Sequence, residues 1–258
     1  MKTLKELLER CSIKAIDRRI ASEVAEFSTD YVLPSMKMVE ACRAEDFGFF
    51  QPFIDASRLT VEQMHHAAEH YYLGKTRSGR PIFWMIDDTL DPQDARIVGF
   101  DSSDTWISTL LKAREPFIQY WCPTHCLFGL HQLSTDSKLS TLNSQLSKPV
   151  AIVESEQNAV ILSELFPEYI WMAYVTVAHL QVELFAPLEG RTVTLFPCTD
   201  PGMSNYIFFD DLATAVRKRY PSINISVDST LEDNATDEQK SRCIDLVDFL
   251  LESLQQST

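Results

Sequence analysis

The side chains best suited to chemistry gather between Lys148 and Asp200. Glu154 and Glu156 close an apolar run that starts at Pro149, and Cys198 and Asp200 follow a second run, Arg191–Phe196. Carboxylates placed at the ends of such runs stand where an α/β sheet meets its ligands. Two other clusters invite a metal reading. His66 and His70 are four residues apart on an expected helix and share a face, but no third ligand lies at useful spacing, so they read as a surface pair. Cys122-Pro-Thr-His125-Cys126, with His131 nearby, has C-x3-C spacing rather than the paired knuckles of structural zinc, and no zinc is expected. Lys75, Arg77 and Arg80 cluster at one expected turn, where they are candidate phosphate contacts or simply solvated charges.

The elements that would position these groups follow from hydrophobic periodicity. Strands are expected near 150–153, 169–173, 191–196 and 223–227, with helices over 157–166, 204–220 and 236–254 between and after them. Continuous apolar runs alternating with helices are the mark of a parallel sheet covered on both faces. Upstream, an amphipathic helix is expected over Met1–Ser28, which packs on its own domain or meets a partner. Helices follow from Pro34 to about Cys42, over the aromatic-rich Asp46–Ala56, and from a Thr60 cap, with Gln63 at the capping-box position, to about Tyr72. Tyr71–Thr76 and Pro81–Asp87 read as a hairpin around Ser78-Gly79, with Ala95–Phe100 as a third strand and a short helix or arm over Trp106–Arg114. Ser134–Ser147 is polar enough to be a linker. The fold class is α/β (α+β overall): helices and a small antiparallel sheet over 1–133, then a mostly parallel sheet flanked by helices over 148–258.

Composition bounds the function. The 258 residues carry a net charge of −14, which argues against holding nucleic acid on a broad basic face but leaves room for a small metal-dependent site that works on phosphates. Residues 228–258 alone hold eight acids and two bases, a solvated acidic face. Six scattered cysteines without framework spacing fit a reduced, cytoplasmic protein. The charged, amphipathic start and the lack of a long apolar span lead us to expect neither a leader nor a membrane segment.

Lys148-Pro-Val-Ala-Ile-Val-Glu-Ser-Glu156, Ile170-Trp-Met-Ala173, Leu188-Glu-Gly-Arg-Thr-Val-Thr-Leu-Phe-Pro197 and Asp200-Pro201 resemble the Toprim-like half of a primase-related family of unknown function found in bacterial mobile elements. His70–Lys75, Pro81–Asp87 and Cys126–Gly129 are similar to its upstream pieces in order and spacing, so the resemblance spans roughly residues 31–220. It implies Glu154 as a strand-end general acid/base and Asp200 as the second member of an Asp-x-Asp pair holding Mg²⁺ for phosphodiester chemistry. Mg²⁺ suits that role because it takes hard oxygen ligands from a few carboxylates and from phosphates.

The chain departs from that pattern at three positions. Cys198 stands where the first Asp of the pair would be, and a thiol is a poor Mg²⁺ ligand. Gln157 replaces a phosphate-facing Lys. Val175 lies in a bulky segment where the family has a Gly-Gly turn. The resembled family often begins with a zinc ribbon, and none is expected ahead of these helices. Three readings follow. The chain is a catalytically degenerate Toprim-like module that binds a protein partner in replication or mobile-element biology. Or it is a surviving Mg²⁺-dependent phosphotransfer enzyme, primase- or nuclease-like, using Glu154, Glu156 and Asp200, with Asp210 or Asp211 as a replacement ligand. Or it is an interaction protein with no nucleic-acid link, its acids merely opening a helix.

Overall fold

A computed structural model describes residues 33–99, 104–114, 118, 120–134, 148–177 and 180–255. The expected helix over Met1–Ser28 and most of the Ser134–Ser147 linker lie outside these residues. The chain groups into two compact units. One gathers the described residues up to Ala44 with Tyr72–Trp84 and Pro92–Thr124; the other gathers Glu45–Tyr71, Met85–Asp91 and the described residues from His125 onward.

The first unit opens with α1 (Met36–Ala41). Its N-cap is Ser35, whose hydroxyl accepts from Met38 N–H, so the helix starts after Pro34 rather than on it. The antiparallel sheet runs β1-β2-β3-β4, with β1 (Gly74–Lys75), β2 (Pro81–Ile86), β3 (Pro92–Ile97) and β4 (Thr105–Trp106). β1 is only two residues long because Tyr71 and Tyr72 end the preceding helix, Tyr72 at φ 55°. The β1–β2 turn closes with Thr76 N–H to Arg80 O at 2.9 Å, and Gly79 takes φ 87°, which only glycine adopts without cost. α4 (Ile107–Arg114) follows β4 directly.

The second unit begins with a 3₁₀ turn over Gly48–Phe50, α2 (Gln51–Asp55) and α3 (Val61–His70). A full Thr60/Gln63 capping box starts α3, as its sequence foretells. β5 (Val150–Val153), α5 (Glu156–Leu165), β6 (Ile170–Ala173), a 3₁₀ helix (Val182–Leu188), β7 (Thr192–Leu195), α6 (Ser204–Arg219) and β8 (Asn224–Val227) follow. All the strand pairs are parallel and the order is β6-β5-β7-β8. Every residue of β5 and β6 is buried, which is what a sheet covered on both faces requires. One face packs Val150, Ile152, Met172, Val193 and Leu195 against Phe209, Leu212, Ala213 and Val216 of α6. β6 gains a further antiparallel partner in Phe128, bridged to Ala173. Gly129, at φ 86°, is forced there: a Cβ would sit 2.9 Å from Trp171 O. Cys126 is half-buried just before this bridge and lies outside the strands.

The expected helix over 236–254 is broken. α7 (Thr230–Asn234) and α8 (Asp237–Ser241) precede α9 (Leu246–Gln255), and Cys243 lies between α8 and α9 at φ 52°. Asp245 and Asp248 bond reciprocally to each other's backbone N–H, at 2.9 and 3.4 Å, so an Asp-x-x-Asp capping box restarts the helix.

Candidate functional site

The order β6-β5-β7-β8 places a topological switch point between β5 and β7. The chain leaves β5 for β6 on one side, then returns to lay β7 on the other, and open α/β sheets bind ligands in the crevice beyond such a pair. The register pairs Ile152 with Leu195, so Glu154 and the Phe196–Asp200 segment emerge side by side at the carboxyl edge. Cys198 S–H donates to Glu154 Oε2 at 3.4 Å, and Asn205 Nδ2 donates to Cys198 Sγ at 3.1 Å. An amide, a thiol and a carboxylate therefore form one directed chain across β7, α6 and β5.

Electrostatics keep this thiol protonated. Burial, then the Glu154 charge and hydrogen bond, push Cys198 up to about 12. Burial and the same Glu154 charge raise the Tyr174 phenol at the end of β6 as well. Asp245 adds to both shifts, and its Oδ2 accepts from Asn158 Nδ2 at 2.6 Å. Just beyond, Thr199 is fully buried. Its N–H donates to Ile244 O and its hydroxyl to Glu232 Oε1 at 2.7 Å, while Lys240 pairs with Glu232 at 3.1 Å. These bonds tie the β7 exit to the C-terminal helices.

Asp200 has a different task from Glu154. Its Oδ1 accepts from Gly202 N–H at 2.9 Å and its Oδ2 from Asn205 N–H at 2.8 Å. The bond from Asn205, with others from Ser204 and Gly202, holds its carboxyl below the usual range. Asp200 thus organises the entry to α6, where Met203 takes φ 54°. Glu154 and Asp200 therefore take different hydrogen-bond partners, a thiol for one and backbone N–H groups for the other. Glu156 is fully buried at the first turn of α5, and Gln157 lies half-buried beside it. Asp210 faces Arg217 at 3.9 Å on the outer side of α6, and Asp211 is exposed there.

Val175 keeps the backbone shape that its side chain disfavours. It has φ 68°, Thr176 N–H closes a three-residue turn onto Tyr174 O at 2.8 Å, and Val175 N–H donates to Glu154 O. A β-branched residue in this region is a true outlier. The position where the resembled family carries Gly-Gly still follows a glycine path.

The other candidates are dispersed. Arg80 is buried, Lys75 half-buried and Arg77 exposed at the turn, and none of the three is free. His66 Nδ1 pairs with Glu164 at 2.7 Å, and His70 Nε2 meets Gln132 Oε1 at 2.9 Å; their rings stack in parallel rather than converging on an ion. His131 Nε2–H donates to His70 O. Among the described residues, no group of three or more His, Cys, Asp or Glu is placed to hold a metal, and no helix is long and apolar enough to cross a membrane. Tyr174, Asn205, Asn158 and Asp245 were not singled out from the sequence. Only Asp245 had a local signal, its capping spacing to Asp248.

The second unit is thus a parallel α/β sheet with polar groups gathered at its switch point, and a fold alone does not fix what such groups do. The chain belongs to the family described as "Domain of unknown function (DUF6371)", whose model matches residues 49–199, more than half its length. No curated protein and no solved structure matches the chain.

Proposed function

We propose that this protein is a catalytically degenerate, Toprim-like binding module that acts through a protein partner. The carrying observation is the Cys198–Glu154 contact. A neutral thiol lies 3.4 Å from the carboxylate that would anchor Mg²⁺, and that thiol stays protonated. Asp200, the other implied ligand, accepts a backbone N–H on each oxygen. The side chains that meet Glu154 are the Cys198 thiol, backed by the Asn205 amide, and the Tyr174 phenol, and a protonated thiol does not suit a hard cation. The residues present therefore do not fit the Mg²⁺ that the resemblance implies. The replication or mobile-element setting and a cytoplasmic location rest on sequence alone.

The rival reading, a Mg²⁺-dependent phosphotransfer enzyme, draws on Asp245, whose charge reaches the same thiol and phenol as that of Glu154. Calorimetry with Mg²⁺ and Mn²⁺ on the wild type and on Glu154→Gln separates the two. No binding at millimolar metal supports the module. Wild-type binding that disappears in Glu154→Gln overturns it and favours the enzyme.

A further inference from the structure

Exposed large apolar side chains are scattered singly over the described surface, with one exception. Met203, the N-cap of α6, and Ile207 and Phe208 in its first turn and a half are 43%, 56% and 39% exposed. Ile207 N–H bonds back to Met203 O, which ties the two positions across the first turn, and Phe208 follows next along the helix. Single exposed apolar residues need no explanation, but a cluster on one helix end does.

The strip is held firm. Asp200 fixes the loop before it through Gly202 and Asn205. The Phe208 ring meets Phe209 edge-on at 5.3 Å, and the buried Phe209 ring packs on Tyr174 at 5.4 Å. A rigid surface loses little entropy when it is covered.

The sequence on either side of the strip is acidic. Between Arg191 and Arg217 the sequence has no Lys, Arg or His, and it has Asp200, Asp210 and Asp211. Asp200 is ionised at neutral pH, since its carboxyl is held low, and Asp210 and Asp211 are exposed one turn beyond the apolar side chains. Arg217 reaches back only to Asp210, at 3.9 Å. The whole chain adds a net −14. An apolar strip rimmed by acids is complementary to an apolar strip rimmed by bases.

We infer that the N-terminal half of α6 is the docking surface for a basic amphipathic segment of another protein, with apolar anchors seated on Met203, Ile207 and Phe208 and Lys or Arg facing Asp200, Asp210 and Asp211. This deepens the binding-module reading and rests on it. The two fail separately, because metal binding tests Glu154 and Cys198, whereas docking tests α6.

The probe is a synthetic Leu/Lys amphipathic helical peptide, titrated by fluorescence anisotropy against the full chain, with a Ser/Lys peptide of equal charge and a Leu/Glu peptide as controls. The Leu/Lys peptide binds best. Ile207→Ser/Phe208→Ser weakens it by about tenfold or more, and Asp210→Asn/Asp211→Asn weakens it and flattens its salt dependence. Both variants change exposed positions, so unchanged circular dichroism and melting verify the fold. Equal binding of the Ser/Lys peptide, or no loss in Ile207→Ser/Phe208→Ser, overturns the inference. So does self-association of the chain that the apolar variant abolishes, since the occupant is then a second copy.

Discussion

Replacing Cys198 by Asp restores a carboxylate to the position where the resemblance expects one. The thiol lies 3.4 Å from Glu154 Oε2, so the new carboxylate sits close to an existing one. Two charges 4 Å apart repel by about 4 kcal/mol at an effective dielectric of about 20. Cys198 is only half-buried, so solvent screening reduces this, and about 1–2 kcal/mol of destabilisation is expected in EDTA. A bound divalent cation turns the repulsion into shared ligation. At a hundredfold excess over Kd it stabilises the fold by about 2.7 kcal/mol, which for a chain of this size is roughly 5–10 °C in Tm. The assay is thermal unfolding of the wild type and Cys198→Asp, each in EDTA and in excess Mg²⁺. The variant should melt lower in EDTA and recover in Mg²⁺, while the wild type should barely respond. Two results refute the reasoning. If the wild type gains as much and Glu154→Gln abolishes the gain, the thiol does not block the site. If Cys198→Asp gains nothing, Cys198 is not the missing ligand.

Val175→Gly relieves a left-handed residue at φ 68°; a strain of about 1–2 kcal/mol, set against a glycine entropy cost of about 0.5–1, leaves the variant roughly 0.5 kcal/mol more stable in urea unfolding, and a loss beyond about 1 contradicts the strain. Burial holds the His70 imidazole below its ordinary value, against the pull of Gln132. Its contribution is therefore complete above the unfolded value of about 6.5 and is lost as pH falls through the folded value. Between about pH 7.5 and 5 the wild type should lose more stability than His70→Gln; equal losses would remove His70 from the acid response. Iodoacetamide mass labelling of the native protein should modify the exposed Cys243 on the order of 100-fold faster than Cys198, whose thiol stays protonated. Comparable rates would mean that burial and Glu154 together do not hold the Cys198 thiol protonated.

The parallel sheet was legible because β5 and β6 are buried on both faces, so 150–153 and 170–173 read as continuous apolar runs. Thr60 with Gln63 announced α3 because a capping box is local chemistry. The break before α9 was hidden. Ile244, Leu246, Val247, Leu250 and Leu251 keep an apolar pattern that reads across it, although Asp245-x-x-Asp248 marked the restart. The site itself was half-visible. Glu154 and Cys198 stood out by type, but their bond spans 44 residues and depends on the β5–β7 register, which no local pattern encodes. Asp200 stood out for the same reason as Glu154, yet its oxygens turn to Gly202 and Asn205, a choice made by the turn at Pro201-Gly202. Tyr174 and Asn158 carry no signal until the sheet closes around them.

The start of a long helix offers converging N–H groups and a positive dipole end, which is where many α/β proteins seat a phosphate. At α6 that seat is already taken from within. Asp200 supplies the anion, bonded to Gly202 and Asn205 N–H, so an incoming phosphate would have to displace a carboxylate that belongs to the chain or share space with its charge. The helix end behaves as a receptor with a tethered competitor in place. What approaches it from outside meets a dipole end already answered by a carboxylate, and a residual negative edge.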